Sequence, residues 1–176
     1  MATIKWVLDP MHSELQFKIK HLMITTVTGS FNDFISELTA EGDDFENAKV
    51  SFKAGVDSIN TGNTDRDGHL KAADFFNAEE FPHVTFESTS LVKDGGDYKL
   101  AGNLTIKDVT KAVVLDVEYG GIAQDQYGRT KAGFTLSGKI NRTEYGLTWN
   151  SAVETGGVML SEDVKILGEL QFVKEG

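Results

Sequence analysis

The sequence predicts an all-β protein made of antiparallel strands, and three observations carry that prediction. Apolar and polar residues alternate with a period of two along most of the chain. Buried parallel strands would instead read as continuous apolar runs. Only one long connection, residues 57–83, breaks the alternation. About eight strands joined in this way close as a barrel or stack as a two-sheet sandwich, and closure removes the exposed edges of a long sheet.

The elements follow in chain order. Leu15, Phe17 and Ile19 alternate with Gln16, Lys18 and Lys20, and a weaker strand covers Val27 to Phe34. Val50, Phe52, Ala54 and Val56 alternate with Lys49, Ser51 and Lys53. In the long connection, Thr64 followed by Asp67 resembles a capping box, and Leu70, Ala73 and Phe76 share a helical face. These predict one helix from about residue 65 to 76, with Asp65 and Asp67 favourable at its N-terminus. Strands resume with Val84 and Phe86, then Leu100, Leu104 and Ile106, then Leu115, Val117 and Tyr119, then Phe134, Leu136 and Ile140. A short helical turn is expected from Asn141 to Tyr145, ended by Gly146. Val164, Ile166, Leu170 and Phe172 form the last strand.

Four glycines, Gly29, Gly102, Gly138 and Gly168, fall in the inward phase between large apolar residues. Glycine weakens a strand interior unless a bend or close approach requires it. One reading is that they let the sheet coil; the other is that they leave the lumen open. An eight-stranded barrel is just wide enough to be filled by side chains or to hold one small ligand, and glycine at inward positions tips it toward the ligand.

Composition narrows the function. A chain of 176 residues with two prolines fits a single domain. A net charge of −10 repels phosphate backbones, so nucleic acid is not an expected partner. The absence of cysteine excludes disulfides, thiolate catalysis and cysteine-ligated metals. No stretch reaches the roughly 18 apolar residues of a membrane-spanning helix, and the first ten residues lack the apolar run of a signal peptide, so the expected location is cytoplasmic.

Most chemical motifs lose to plainer readings. Asn63, Asp65, Asp67, Gly68 and Asp74 imitate a calcium loop, but the first position is Asn and the last is Asp rather than a bidentate Glu. The plainer reading is a polar, capped helix start. None of His12, His21, His69 and His83 has the i, i+4 spacing of a helical zinc site. His21 is in phase with the inward set and is expected near one barrel end, as a structural histidine or beside a ligand headgroup. Asn103-Leu-Thr105 and Asn141-Arg-Thr143 match the glycosylation sequon by chance in a chain without a secretory signal. Glu87, Asp116, Glu118 and Glu169 face outward, where paired acid–base chemistry is implausible. No metal site, catalytic residue or cofactor is expected.

Taken together, the chain resembles the YceI-like, polyisoprenoid-binding family of bacterial lipocalin-like proteins. The resemblance runs through Trp6 to Asp9 with His12-Ser13 and His21, Ser58-Ile59-Asn60-Thr61-Gly62, Arg66-Asp67-Gly68-His69-Leu70, Asp74-Phe75-Phe76, Phe81-Pro82 and Phe86-Glu87-Ser88. It continues through Gly102-Asn103-Leu104-Thr105-Ile106, Thr110-Lys111, and Asn141-Arg142 with Tyr145-Gly146. It implies an extended eight-stranded antiparallel β-barrel, lipocalin-like, with a short helical insertion, spanning 1–176 as one domain. It also implies an apolar tunnel that takes a long isoprenoid chain or similar amphiphile. The Arg66, Asp67, His69, Leu70 element is expected to pin the helix over the barrel. Relatives suggest a homodimer, and many are periplasmic.

The leading expectation is a non-enzymatic carrier of an isoprenoid quinone, a polyprenyl lipid or a related lipid. Phe17, Ile19, Phe52, Phe86, Leu104, Phe134, Leu136 and Ile166 would contact the chain, with His21 and Phe76 completing the binding set. Burial stabilises by roughly 0.8 kcal/mol per methylene, much of it offset by ordering the flexible chain, so selectivity should follow chain length more than headgroup. The alternatives are an enzyme acting on a headgroup near His21 and a stress-related structural protein with a filled lumen.

Overall fold

The computed structural model describes residues 3–22, 24–41, 44–72, 75–147 and 160–175. Its strands are β1 (Thr3–Leu8), β2 (Glu14–His21), β3 (Thr25–Phe31), β4 (Phe34–Glu41), β5 (Asp44–Gly55) and the short β6 (Ile59–Asn60). After helix α1 (Thr64–Lys71) come β7 (His83–Asp94), β8 (Asp97–Ile106), β9 (Val109–Gln124), β10 (Thr130–Asn141) and β11 (Leu160–Lys174). All pairings are antiparallel. The order β1-β4-β5-β7-β8-β9-β10-β11 closes on itself through β1 against β11.

The closed ring has eight walls, three of which are long strands interrupted once. β1 and β2 lie along the same flank of β11, with Leu8 opposite Phe172 and Phe17 opposite Ile166. β4 pairs with β1 and β3 with β2; β5 pairs with β4 and β6 with β3. Each interruption has a local cause. Pro10 cannot donate to the ladder, and a 3-10 turn over Pro10–His12 follows Asp9, whose carboxylate accepts from the Met11 amide. At Asn32–Asp33 the backbone turns outward, the Asn32 amide donating to Ser58 and the Asp33 carbonyl accepting from Gly55. The third break is the 3-10 turn Val56–Ser58, where the Ser58 hydroxyl donates to the Gly55 carbonyl.

Two sequence expectations need correction here. The weak strand Val27 to Phe34 is the end of β3, the Asn32–Asp33 break and the first residue of β4. In β4 the inward set Phe34, Leu38 and Ala40 alternates regularly, and one step, Ile35 and Ser36, reverses the expected polarity. Ser36 faces the core, where its hydroxyl donates to the Ser51 carbonyl at 2.7 Å, while Ile35 points to solvent. β1 is a further strand beyond those expected, with Trp6 and Leu8 buried and Ile4 packed on the same core.

The helix is also shorter than predicted. Its N-cap is Asn63, not Thr64, and the Asn63 side chain accepts from the Arg66 amide at 3.1 Å. It stops at Lys71. Beyond it the Ala78 amide bonds back to Lys71 and the Phe76 amide to Leu70, folding the chain into a turn that continues with Asn77 at φ 50°. Phe76 therefore reaches the barrel from the turn and not from a helical face; Ala73 and Asp74 lie outside the described residues. The predicted turn at the start of the 140s is a 3-10 turn over Arg142–Tyr145, closed by Gly146 at φ 80°. Asn141 of the sequon-like triplet caps this turn, its side chain accepting from the Thr143 amide and hydroxyl at 3.0 and 2.6 Å.

Candidate functional site: an apolar cavity along the barrel axis

The inward phase of the strands encloses a cavity of about 510 Å³, within the usual range for small-molecule sites. One end is stoppered by aromatic rings. Phe45 lies 5.3 Å from Trp6, 5.7 Å from Tyr119 and 5.2 Å from Phe134, and Phe134 lies 5.9 Å from Phe172. These edge-on and tilted contacts fill the barrel where β1, β8 and β10 begin.

Outside this stopper sits a buried ion cluster. Asp9, 8% exposed, accepts from Lys131 Nζ at 2.6 Å and from the His12 ring at 2.8 Å. Burial alone would push the Asp9 carboxyl up. The Lys131 ammonium, the His12 ring and the Met11 amide outweigh it and hold the group at about 2. Lys131 also reaches Gln171 at 3.4 Å and Asp125 at 3.7 Å, so the cluster ties the β1–β2 break to β10 and β11.

The other end is the mouth, framed by the β2–β3 hairpin, α1 with its following turn, and the Arg142–Tyr145 turn. The polar side chains of the cavity wall gather mostly here: His21, Thr25, Thr61, Arg66 and Arg142. Arg66 donates through Nε to the Thr61 hydroxyl at 2.7 Å and through a terminal nitrogen to the Thr61 carbonyl at 2.6 Å. Asp67 accepts from the Thr61 amide and hydroxyl at 2.8 and 2.6 Å. His69 meets the Phe75 ring edge-on at 5.0 Å, and Leu70 packs on the core. The Arg66-to-Leu70 element thus holds the helix over the barrel wall. The oxygens that suggested a calcium loop serve this network too: Asn63 caps the helix and Asp67 holds Thr61.

Arg142, next to the Asn141 cap, also lines the cavity at this end. It is 3% exposed, donates to the Ser161 carbonyl at 2.8 Å and the Leu147 carbonyl at 2.6 Å, and joins the mouth turn to the start of β11. Burial lowers the pKa of its guanidinium, and Glu162 opposes that shift.

All ten residues named from the sequence, Phe17, Ile19, His21, Phe52, Phe76, Phe86, Leu104, Phe134, Leu136 and Ile166, lie on the cavity wall. The wall also holds Phe31 and Leu38, on strands that the alternation merges or misses, Arg66, expected only to pin the helix, and Arg142. Among the described residues no hydrogen bond reaches the His21 ring. No cluster of three or more potential metal ligands occurs among them.

The inward glycines do not hold the cavity open in the way their spacing suggested. Across the β2–β3 pair, the Phe17 ring occupies the space that a Cβ on Gly29 would need. The Phe86 ring and the Glu87 carbonyl do the same at Gly102, and the Leu115 side chain does so at Gly138. Only Gly168 has room, its nearest neighbours, Leu136 and Leu170, lying at 3.6 Å. At Gly29, Gly102 and Gly138 the missing side chain makes room for a large neighbour, and the barrel's width leaves the lumen.

An eight-walled antiparallel barrel with an axial apolar cavity, stoppered at one end and helix-covered at the other, is a lipocalin-like container. The YceI-like domain model matches residues 6–172, and the chain belongs to that family. It is 43% identical over 167 residues to the UPF0312 protein SAB2563 of Staphylococcus aureus, covering 93% of this chain and 94% of that one. The YCEI protein of Campylobacter jejuni superposes with a TM-score of 0.74 at 34% identity, over 89% of this chain and 90% of that one. A polyisoprenoid binding domain from Saccharophagus degradans, implicated in plant cell wall breakdown, shares the fold with a TM-score of 0.68 at 15% identity, over 97% and 98% of the two chains.

Proposed function

We propose that this protein binds and carries a long-chain isoprenoid, either a polyprenyl lipid or an isoprenoid quinone, without chemically altering it. The observation that carries this reading is the axial cavity of about 510 Å³, whose wall is almost wholly apolar along its length and polar mainly at its mouth. That division suits an amphiphile with its chain inside and its head at His21, Thr61 and Arg66. The polyisoprenoid-binding domain with the same fold supports the class of ligand. The His21 ring lacks a hydrogen-bonded partner among the described residues, which favours a carrier over an enzyme, since a general base needs an orienting group and a reacting proton within reach. The cavity likewise favours a loaded lumen over a filled one. In this reading the lipid is the sole bound group, with no separate cofactor, and the carrier works as a homodimer.

The test is mass spectrometry of a solvent extract from purified protein, followed by incubation with an octaprenyl quinone and product analysis. A stoichiometric lipid, or unaltered quinone taken up, is expected. An empty extract with no uptake, or conversion of the quinone, would overturn the reading.

A further inference from the structure

The β2–β3 hairpin forms one lip of the cavity mouth. Its inner face carries Ile19, His21, Thr25 and Val27, all on the cavity wall. Its tip is apolar and faces outward: Leu22 is 38% exposed and Ile24 is 76% exposed. A hairpin tip is ordinarily built from Asn, Asp or Gly, because the turn needs positive φ. Here the turn is closed by the Ile24 amide donating to the His21 carbonyl at 3.2 Å, and Leu22 sits at φ 54°. Leucine there carries a backbone cost that asparagine would not. Two large apolar groups are thus held in water, on a strained turn, beside the opening of an apolar cavity.

We infer that this hairpin tip docks the protein on a lipid bilayer of low surface charge. Leu22 and Ile24 enter the interface, and the mouth faces the membrane from which a chain would be drawn or into which it would be returned. The occupant follows from continuity: the exposed apolar tip and the apolar wall are two faces of one hairpin, so only an apolar medium satisfies both. Charge selects the kind of surface. At −10 the protein is repelled by an anionic bilayer, so apolar insertion rather than electrostatic attraction drives docking. The other exposed large apolar residues lie elsewhere: Ile35 is on β4, Val92 on β7, Val114 and Ile122 on β9, Met11 in the turn after β1 and Tyr127 in the β9–β10 turn. The inference takes its purpose from the carrier reading, but docking is measured without reference to cargo.

The test is flotation of the full chain with phosphatidylcholine vesicles, comparing wild type with Leu22→Asn/Ile24→Thr. Wild type is expected to float. The variant is expected to lose binding by on the order of tenfold or more, since each side chain contributes at least a kcal/mol-scale burial term. Because asparagine accepts positive φ, the variant's unfolding midpoint should equal or exceed that of wild type, and its lipid content after extraction should be unchanged. Equal flotation of both proteins, or of neither, would overturn the inference. So would binding that requires anionic vesicles and vanishes at high salt, or a tip-dependent dimer in sedimentation without vesicle binding. An empty extract from a protein that still floats would count against the carrier reading and leave docking standing.

Discussion

The end of the Phe17 ring lies over Gly29, its direct partner across the β2–β3 pair, in the space that a side chain at position 29 would fill. A related contact joins Phe86 to Gly102, two pairs along the β7–β8 ladder from its own partner Leu104. An aromatic ring covering a cross-strand glycine protects the ladder beneath it and lets the sheet curl tightly. Substitutions at the inward glycines should therefore differ sharply from one another.

Gly102→Ala is expected to be the most damaging, because the added carbon meets the Glu87 carbonyl, which cannot rotate away, as well as the Phe86 ring. Gly29→Ala need only displace the end of the Phe17 ring and should cost less. Gly168→Ala finds ordinary van der Waals contact and should be neutral or slightly stabilising. Urea unfolding of the three variants checks the order; overpacking is expected to cost roughly 1–3 kcal/mol at Gly102.

Gly138→Leu should act through Leu115. Leu115 stands one step beyond the Ser137–Asp116 pair of the β9–β10 ladder, and its side chain fills the space over Gly138. The new side chain must displace Leu115 into the lumen, so the variant should both unfold more readily and take up less lipid. Adding Leu115→Ala should restore much of both losses. Quinone uptake and unfolding midpoints of the single and double variants measure this; independent, additive losses would refute the coupling.

Arg142→Met should strip hydrogen bonds from the Ser161 and Leu147 carbonyls while keeping most of the side-chain volume. A buried carbonyl left without a partner costs about 1–3 kcal/mol, so the unfolding midpoint should fall clearly. Because Arg142 joins the mouth turn to β11, amide hydrogen exchange should rise first at Thr143, Gly146 and the start of β11. Uniform acceleration across the barrel would instead mark a global effect.

Asp9 makes stability depend on pH. Its folded carboxyl is held at about 2 against an ordinary value of 3.8. A lowered acid stabilises fully above its unfolded value and loses that contribution as pH falls toward its folded one. The window is therefore about pH 4 down to about pH 2, and the contribution at neutral pH is about 2 kcal/mol. The stability gap between wild type and Asp9→Asn, measured by urea unfolding, should be widest at pH 7 and should narrow through that window. A gap that stays constant from pH 7 to pH 2 would show that the ion cluster is not its source.

Much of this protein was determined by its sequence alone. Period-two alternation is a local consequence of how a strand presents its side chains, so β2 and the middle parts of β5 and β7 to β11 could be read from it, although Val56, taken as the end of a strand, lies in the 3-10 turn that follows β5. For the same reason the strand residues named for the binding set line the cavity, whereas Phe76 reaches it from a turn that the helical spacing did not show. What stayed hidden depended on contacts between distant segments. Ser36 is tolerated at an inward position because the Ser51 carbonyl receives its hydroxyl, and the burial of Arg142 is supported by hydrogen bonds to the Ser161 and Leu147 carbonyls. The inward glycines show the limit most plainly. Their phase was visible, but whether each left a space or made room for a neighbour depended on the side chain opposite. That was decided by ladder register and ring orientation, which only the closed barrel brings together.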